Sequence, residues 1–265
     1  MFSVLKVVLL RQGVNIMKKI ISFLDKEFGN GIFKDTSNNG LQVANSGRLG
    51  RICCGVDASL EFMQAAQKQG AGLLIVHHGI SWCDSLKRIT GLNYKRVKYL
   101  MDNDMALYAC HLPLDAHAQY GNNAQICKTL GLRGLKKFGL YGGGYIGFGG
   151  SLPREMTMQD FKKLVAAKIS GRMTTMEFGR KKVKTVAVVS GGASEELEQA
   201  AEQGYDVFLS GEYKLLAYNN ARDIGMNAVF AGHYATETFG VKAVAALLRS
   251  KFKADARFID LEVAY

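Results

Sequence analysis

The sequence predicts an α/β fold with largely parallel sheets, and two observations carry this prediction. Short apolar runs typical of buried strands alternate along the chain with segments of helical periodicity. One such run, Leu73–Val76, is apolar at every position, which is typical of a strand covered on both faces. Hydrophobic residues make up 48% of the chain and charged residues 22%, a balance that excludes general disorder.

In the first half of the chain, helices and strands follow one another with clear stop signals. Gly70 and Gly131 each lie within two residues of the end of a helical segment, as glycines that end helices do. The predicted helices are Met17–Phe28, Ser59–Lys68, Tyr94–Asn103 and Asn122–Leu130, and the predicted strands are Arg51–Asp57, Gly72–Val76 and Met105–Cys110.

The pattern changes at Phe138–Gly150, a glycine-rich segment that predicts a domain crossing followed by short strands. Thr157 and Asp160 then form a Thr-x-x-Asp pattern that predicts the start of a helix. The predicted helices of this half are Thr157–Ile169, Ser194–Glu202, Leu215–Arg222 and Thr238–Leu248, and the predicted strands are Val183–Val189, Asn227–Ala231 and Arg257–Val263.

Composition and charge limit the classes of protein to consider. The five cysteines are odd in number and form no C-x-x-C pair, which predicts reduced thiols in a cytoplasmic protein. No apolar run is long enough to span a membrane, and no signal peptide is recognisable, so residues 1–16 are expected to be an N-terminal extension or a short packed element. The net charge of +11 permits contact with polyanions, but no nucleic-acid-binding motif accompanies it.

A first group of candidate metal ligands is the adjacent pair His77 and His78, which ends a predicted buried strand. Where the backbone leaves the pleat, both rings can turn toward one site and offer neutral nitrogen donors. A pair of hydrogen-bonded core or surface histidines is the structural alternative.

A second group follows the next strand and comprises His111, Asp115 and His117. One carboxylate and two imidazoles within seven residues is spacing typical of metal ligands, and Pro113 stiffens the loop. The structural alternative is a polar turn capped by Asp115.

A third group is His233 and Glu237, which lie four residues apart and so on one helix face. Imidazole and carboxylate in this arrangement suit Zn, Fe, Mn, Co or Ni, although such pairs also make ordinary helix contacts. All five histidines of the chain fall in the three groups, each directly after a predicted strand. Even three of these imidazoles, with the two carboxylates of Asp115 and Glu237, suffice for two cations about 3.5–4 Å apart if carboxylates or waters bridge the cations.

These motifs together resemble one family. The resemblance rests on Asn39–Val43, Val76–Trp82, His111–His117, Asn122–Ala124, Ser210–Glu212 and Gly232–Glu237, in this order. The chain is similar to the dinuclear metal centre proteins called GTP cyclohydrolase I type 2 homologues, which include bacterial YbgI and the eukaryotic NGG-interacting factor three. The resemblance implies two interlocked α/β domains, the second inserted in the first, and a toroidal hexamer with paired metal ions facing an internal cavity.

The resemblance also implies a ligand set. Its motifs map two divalent transition-metal ions per chain onto His77, His78, Asp115, His233 and Glu237. Because the last motif must return to the first two, we predict a discontinuous metal-binding domain of residues 1–130 plus 225–265, with residues 131–224 inserted. Two features depart from the family pattern: Gly79 follows the double histidine where proline is frequent, and Asp35–Asn39 matches only loosely.

Three side chains remain outside this ligand set. His111 and His117 are expected either to orient Asp115 or a water from outside the ligand shell or to make structural hydrogen bonds. Glu212 is a candidate general acid or base, with a structural hydrogen bond as its alternative.

Three functions are compatible with these residues. The first is a metal-dependent hydrolase acting on a small nucleotide-like or pterin-like anion, for which Gly191 and Gly192 offer a weak phosphate-binding turn. The second is a metal carrier or cofactor-handling protein without turnover. The third is a ring that encounters DNA, which draws on the positive charge alone. The native metal and the substrate are not fixed by the sequence.

Overall fold

The computed structural model describes residues 16–29 and 31–263 and divides into two compact units. Among the described residues, the first unit comprises those up to Leu114 together with Val241–Leu261, and the second comprises Asp115–Gly240 together with residues 262–263. The predicted α/β class is confirmed. The sequence predicted domains that divide at 130/131 and 224/225. This division stays a prediction. The proposed extension at residues 1–16 lies, apart from Ile16, outside the described residues.

The first unit contains a five-stranded sheet in the order β1-β4-β3-β2-β11. Its strands are β1 Gly40–Val43, β2 Arg51–Asp57, β3 Ala71–His78, β4 Ala106–Ala109 and β11 Ala256–Phe258, and its helices are α1 (residues 16–28), α2 Leu60–Lys68 and α3 Gly91–Asp102. All neighbouring strands are parallel except β1, which pairs with β4 antiparallel. The carboxyl ends of β2, β3 and β4 therefore meet at one edge of the sheet, where open α/β sheets bind ligands.

The second unit contains a six-stranded mixed sheet in the order β5-β6-β8-β9-β10-β7. Its strands are β5 Arg133–Tyr141, β6 Gly144–Thr157, β7 Thr174–Glu177, β8 Lys182–Val188, β9 Val207–Ser210 and β10 Asn227–Phe230. Its helices are α5 Asn122–Thr129, α6 Met158–Lys168, a 3₁₀ turn Ser194–Glu196, α7 Leu197–Glu202 and α8 Leu215–Ile224. Strands β8, β9 and β10 are parallel, while β5, β6 and β7 are antiparallel to their neighbours.

Two further helices contain candidate ligands. They are α4 Leu112–Asp115 and α9 His233–Phe252. Helix α9 begins five residues before the predicted Thr238 because its first turn follows directly from the end of β10. The predicted cap at Thr157 is confirmed, since its side chain accepts a hydrogen bond from the Asp160 N–H at 3.1 Å.

The glycine-rich segment forms an antiparallel hairpin of β5 and β6 rather than a crossing between domains. Its glycines permit close packing. A Cβ on Gly147 would lie 2.3 Å from the Val188 carbonyl oxygen, and one on Gly149 would lie 2.1 Å from the Tyr205 hydroxyl. The glycines that suggested a domain crossing are therefore required by backbone and ring contacts within a sheet.

The cysteines and the lengths of the helices bear on two expectations drawn from the composition. None of the five cysteines forms a disulfide bond, and burial raises the pKa of Cys53 to about 11. Across residues 16–29 and 31–263, every helix is too short or too polar to cross a bilayer.

Candidate metal centre

In the first unit, His77 and His78 stand at the carboxyl end of β3, as the sequence predicts. Their ring centroids are 4.6 Å apart, so the two rings are neighbours despite lying on consecutive residues. The Nδ1 atom of His77 donates to the carbonyl oxygen of Cys110 at 3.0 Å. The register of β2 and β3 pairs Asp57 with His78, and Nδ1 of His78 donates to Asp57 Oδ1 at 2.8 Å. Neighbouring strand ends thus orient both imidazoles.

A third imidazole, that of His111, joins this pair. It follows β4, which is parallel to β3, and its ring centroid lies 5.0 Å from that of His77 and 5.5 Å from that of His78. One ring nitrogen from each of the three histidines lies within 4.8 Å of the others. We refer to His77, His78 and His111 as the histidine group.

The hydrogen bonds of the histidine group select one tautomer for each ring. A carbonyl or carboxylate oxygen accepts a hydrogen bond from Nδ1 of every member, so Nδ1 holds a proton. In the neutral ring, Nε2 is then the atom with the lone pair. Oxygen acceptors that hold the second nitrogen of an imidazole are characteristic partners of metal-ligating histidines. Three neutral imidazoles are donors that suit Zn, Fe, Co or Ni, so the residues present fit a divalent transition metal.

Asp35 holds His111, and sequence reasoning missed it. Its carboxylate accepts hydrogen bonds from His111 Nδ1 at 2.8 Å, Asn39 Nδ2 at 2.8 Å, and the backbone N–H groups of Ser37 at 2.9 Å and Leu112 at 3.1 Å. Burial alone would raise the pKa of Asp35, but these hydrogen bonds, above all the one from His111, lower it to about 2. Asp35 is therefore ionised at neutral pH and orients the third imidazole.

The sole tryptophan of the chain lies beside the histidine group. The ring of Trp82 meets that of His111 edge-on, with centroids 5.0 Å apart and planes at 75°. Its Nε1 donates to the carbonyl oxygen of Gly79 at 2.9 Å, which fixes the indole.

Gln42 of the GLQV motif holds the loop after the double histidine. Its Oε1 atom accepts hydrogen bonds from the N–H groups of Ile80 at 2.8 Å and Ser81 at 3.1 Å. A Cβ on Gly79 would lie 2.2 Å from that same oxygen. The Gln42 amide therefore occupies the space that a side chain at position 79 would enter.

In the second unit, His233 and Glu237 occupy the first turns of α9. Nε2 of His233 lies 3.1 Å from Glu237 Oε1, and Nδ1 lies 2.9 Å from Glu212 Oε2. Burial by itself would lower the pKa of His233, but the hydrogen bonds and charges of the two carboxylates raise it to about 9. A proton thus joins His233 to Glu237 at neutral pH, and a metal ion bound by both must displace it.

Glu212, a candidate acid or base from the sequence, is the partner of His233 Nδ1. This contact is the one expected of a carboxylate that orients a ligand histidine. Its catalytic role stays a prediction.

Two consecutive glycines pack against these carboxylates. Gly191 has φ +68°, and a Cβ there would lie 2.3 Å from Glu237 Oε1, while one on Gly192 would lie 3.2 Å from Glu212 Oε1. The N–H of Gly191 donates to Thr236 Oγ1 at 3.1 Å, so this amide is engaged within the protein. The glycine pair therefore supports Glu237 more directly than it offers amides to a phosphate.

Asp115 is buried at the end of α4. Its Oδ1 accepts hydrogen bonds from Asn122 Nδ2 at 2.8 Å and Ser190 Oγ at 3.0 Å, which gives the Asn122 motif a positioning role. Its assignment as a metal ligand stays a prediction.

His117 belongs to a turn. Its Nδ1 accepts the backbone N–H groups of Gln119 at 3.2 Å and Tyr120 at 3.0 Å, and its ring stacks on that of Tyr120. The structural alternative raised by the sequence accounts for these contacts.

The fold and these groups define an α/β protein with candidate metal-binding residues. The chain belongs to the family described as Duf34/NIF3 (NGG1p interacting factor 3), whose model matches residues 16–264. The resemblance inferred from the motifs is thereby confirmed.

Relatives match over nearly the whole chain. Proteins named GTP cyclohydrolase 1 type 2 homolog from Deinococcus radiodurans and Pyrococcus abyssi are 39% and 40% identical, over 91% and 92% of this chain and 92% and 97% of theirs. The solved structure of protein ybgI, described as of unknown function, superposes with a TM-score of 0.87 at 31% identity, covering 94% of this chain and 99% of that one.

Proposed function

We propose that this chain binds two divalent transition-metal ions and is a metal-dependent hydrolase of a small nucleotide-like or pterin-like anion. The proposed ligands are His77, His78, Asp115, His233 and Glu237. The observation that carries the proposal is the histidine group, in which every Nδ1 is held by an oxygen acceptor. The relatives named GTP cyclohydrolase 1 type 2 homolog support the choice of substrate class.

We also propose His111 as a ligand, although the motifs placed it outside the ligand set. Asp35 holds its Nδ1 in the same manner as Asp57 holds that of His78. A histidine that only made a structural hydrogen bond would not need a ring nitrogen within 4.8 Å of two other imidazole nitrogens.

The roles of the chain's own residues follow from their contacts. When bound, divalent metal ions supply the Lewis acidity that polarises a substrate oxygen and lowers the pKa of water. Asp35 and Asp57 fix the ring orientation of two imidazoles, and Glu212 does so for His233. The side chain of Glu212 is 33% exposed, so its carboxylate can also accept a proton from a bound substrate.

We also propose that copies of this chain assemble with one another into a ring in the cytoplasm, as the family resemblance implies. Supporting this, the consecutive apolar residues Leu215 and Leu216 at the start of α8 are 85% and 63% exposed, and a second copy would cover them. Light scattering of the purified protein tests the assembly. A monomer at micromolar concentration contradicts it.

The experiment for hydrolysis compares metal-loaded wild type with Asp115→Asn. Each protein is incubated with GTP and with a metabolite extract, with Zn, Mn, Fe, Co and Ni in turn, and products are followed by mass spectrometry. The exposed Asp84→Asn is the matched control. We expect wild type and the control to consume a compound that Asp115→Asn spares. If wild type consumes nothing with any metal but transfers metal to a chelating acceptor, the protein is a carrier and the hydrolase proposal is wrong.

A further inference from the structure

A cavity of about 650 Å³ opens beside β9 and β10 in the second unit. Three short segments line it, namely residues 171–174, residues 211–213, and the pair Phe230 and Gly232. Two of them follow the carboxyl ends of the parallel strands β9 and β10, and the third leads into the antiparallel β7, which begins at that same edge. This is the edge at which open α/β sheets bind small molecules.

One wall of the cavity is aromatic. The ring of Tyr213 is 46% exposed, and its centroid lies 5.4 Å from that of the buried Phe230. Phe230 thus supports Tyr213 from behind and leaves part of the tyrosine ring accessible. A supported, half-exposed aromatic ring is a platform on which a planar heteroaromatic ring can stack.

The other walls present one cation and one anion. The Arg172 guanidinium is 71% exposed, and its ion pair with the equally exposed Glu262, at 3.4 Å, is of a kind that contributes little. Arg172 can therefore turn to a phosphate. Glu212 uses Oε2 to hold His233, while its Oε1 accepts no hydrogen bond from any described residue. This oxygen is an acceptor for an N–H group of a ligand.

We propose that this cavity binds a nucleotide. Its base stacks on Tyr213 and donates an N–H to Glu212, and its phosphate pairs with Arg172. The inference rests on the proposed function, because it identifies the substrate class of the same enzyme. Another cavity of about 510 Å³, lined by residues that include Arg154 and Lys182, has cations but no aromatic side chain, which makes Arg154 a matched control.

Isothermal titration calorimetry on the full chain tests this proposal. The probes are GMP, guanosine and ribose 5-phosphate, each titrated into zinc-loaded and chelator-treated protein. We expect wild type to bind GMP, and Tyr213→Leu to bind it about tenfold more weakly through lost stacking. Arg172→Gln should weaken GMP about tenfold without changing guanosine, because guanosine has no phosphate. Arg154→Gln should bind all three probes as wild type does.

Metal content, measured on the same samples, separates failure of this inference from failure of the proposed function. Tyr213→Leu and Arg172→Gln should retain wild-type metal content. Wild type that retains metal but does not bind GMP overturns the nucleotide site alone, as does GMP binding that neither substitution weakens. Wild type without metal overturns the proposed function, while GMP binding to chelator-treated protein would still support the cavity.

Discussion

The carboxylate of Asp35 accepts a hydrogen bond from Nδ1 of His111 at 2.8 Å, across 76 residues of sequence. This contact orients the imidazole of His111, the member of the histidine group to which the motifs assigned no role. Asp35 is held in turn by Asn39 and by the N–H groups of Ser37 and Leu112. The loop before β1 therefore positions a histidine of the candidate metal centre.

Replacing Asp35 should weaken metal binding while preserving the fold. We expect Asp35→Asn to lower zinc affinity about 10–100-fold, because removing the carboxylate leaves His111 less well oriented and less basic. Competition with a chromophoric chelator measures the change, and circular dichroism checks the fold. Asp84→Asn, at an exposed aspartate in the same unit, should bind zinc as wild type does. Equal zinc affinity in the two variants would contradict a role for Asp35 in metal binding.

Trp82 should report metal binding at the histidine group. It is the sole tryptophan, and its ring lies 5.0 Å from that of His111. We expect Co²⁺ added to chelator-treated protein to quench its fluorescence and EDTA to restore it. His111→Gln should require more Co²⁺ for the same quenching. Fluorescence that does not respond to a cobalt ion shown to be bound would place that ion elsewhere.

Gly191→Ala should disrupt the His233–Glu237 pair. The new Cβ would meet Glu237 Oε1 at 2.3 Å, and φ +68° costs a residue with a Cβ roughly 1–2 kcal/mol. Gly204→Ala is the control, because φ there is +74° but a Cβ meets nothing within 4 Å. We expect both variants to lower the melting temperature, and only Gly191→Ala to lose bound metal. Metal loss in both would assign the effect to general destabilisation.

Glu196 should make stability depend on pH independently of the proposed ligands. Burial raises its pKa from 4.5 to about 6. The folded state thus binds the proton of the Glu196 carboxyl more tightly than the unfolded state does. The stability that this protonated carboxyl contributes is therefore present below pH 4.5 and is lost as pH rises through about 6. We expect Glu196→Gln to raise the free energy of unfolding at pH 7.5 by about 1–2 kcal/mol.

Urea unfolding at pH 4.5 and 7.5 measures this effect. Glu61→Gln, at an exposed glutamate in the first turn of α2, is the matched control and should show no gain at pH 7.5. A gain for Glu196→Gln that is equal at the two pH values would contradict the titration.

The sequence predicted the double histidine because an apolar run that ends in polar residues is a local pattern. His233 and Glu237 were found for a similar reason, since four residues separate them on one helix. Asp35 was missed because its role comes from tertiary contacts with His111 and Leu112 that no local pattern encodes. Likewise, the glycine-rich segment Phe138–Gly150 was predicted to be a domain crossing, because the contacts that require its glycines come from β8 and Tyr205, which are distant in sequence.

The sequence also did not predict the short edge strand β7. The four residues of β7, Thr174–Glu177, have exposed side chains at two positions and lack a long apolar run. Their strand character comes from antiparallel pairing with β10. Such a segment is defined by its partner more than by its own composition.

Metal content tests whether the proposed ligands hold two metal ions. Elemental analysis of protein purified without chelators should find about two equivalents of transition metal per chain in wild type. The double variant His77→Gln with Glu237→Gln should keep its circular dichroism spectrum and lose most of that metal. A folded double variant that retains two equivalents would contradict the assignment of these side chains as ligands, and so would a wild type that takes up no metal.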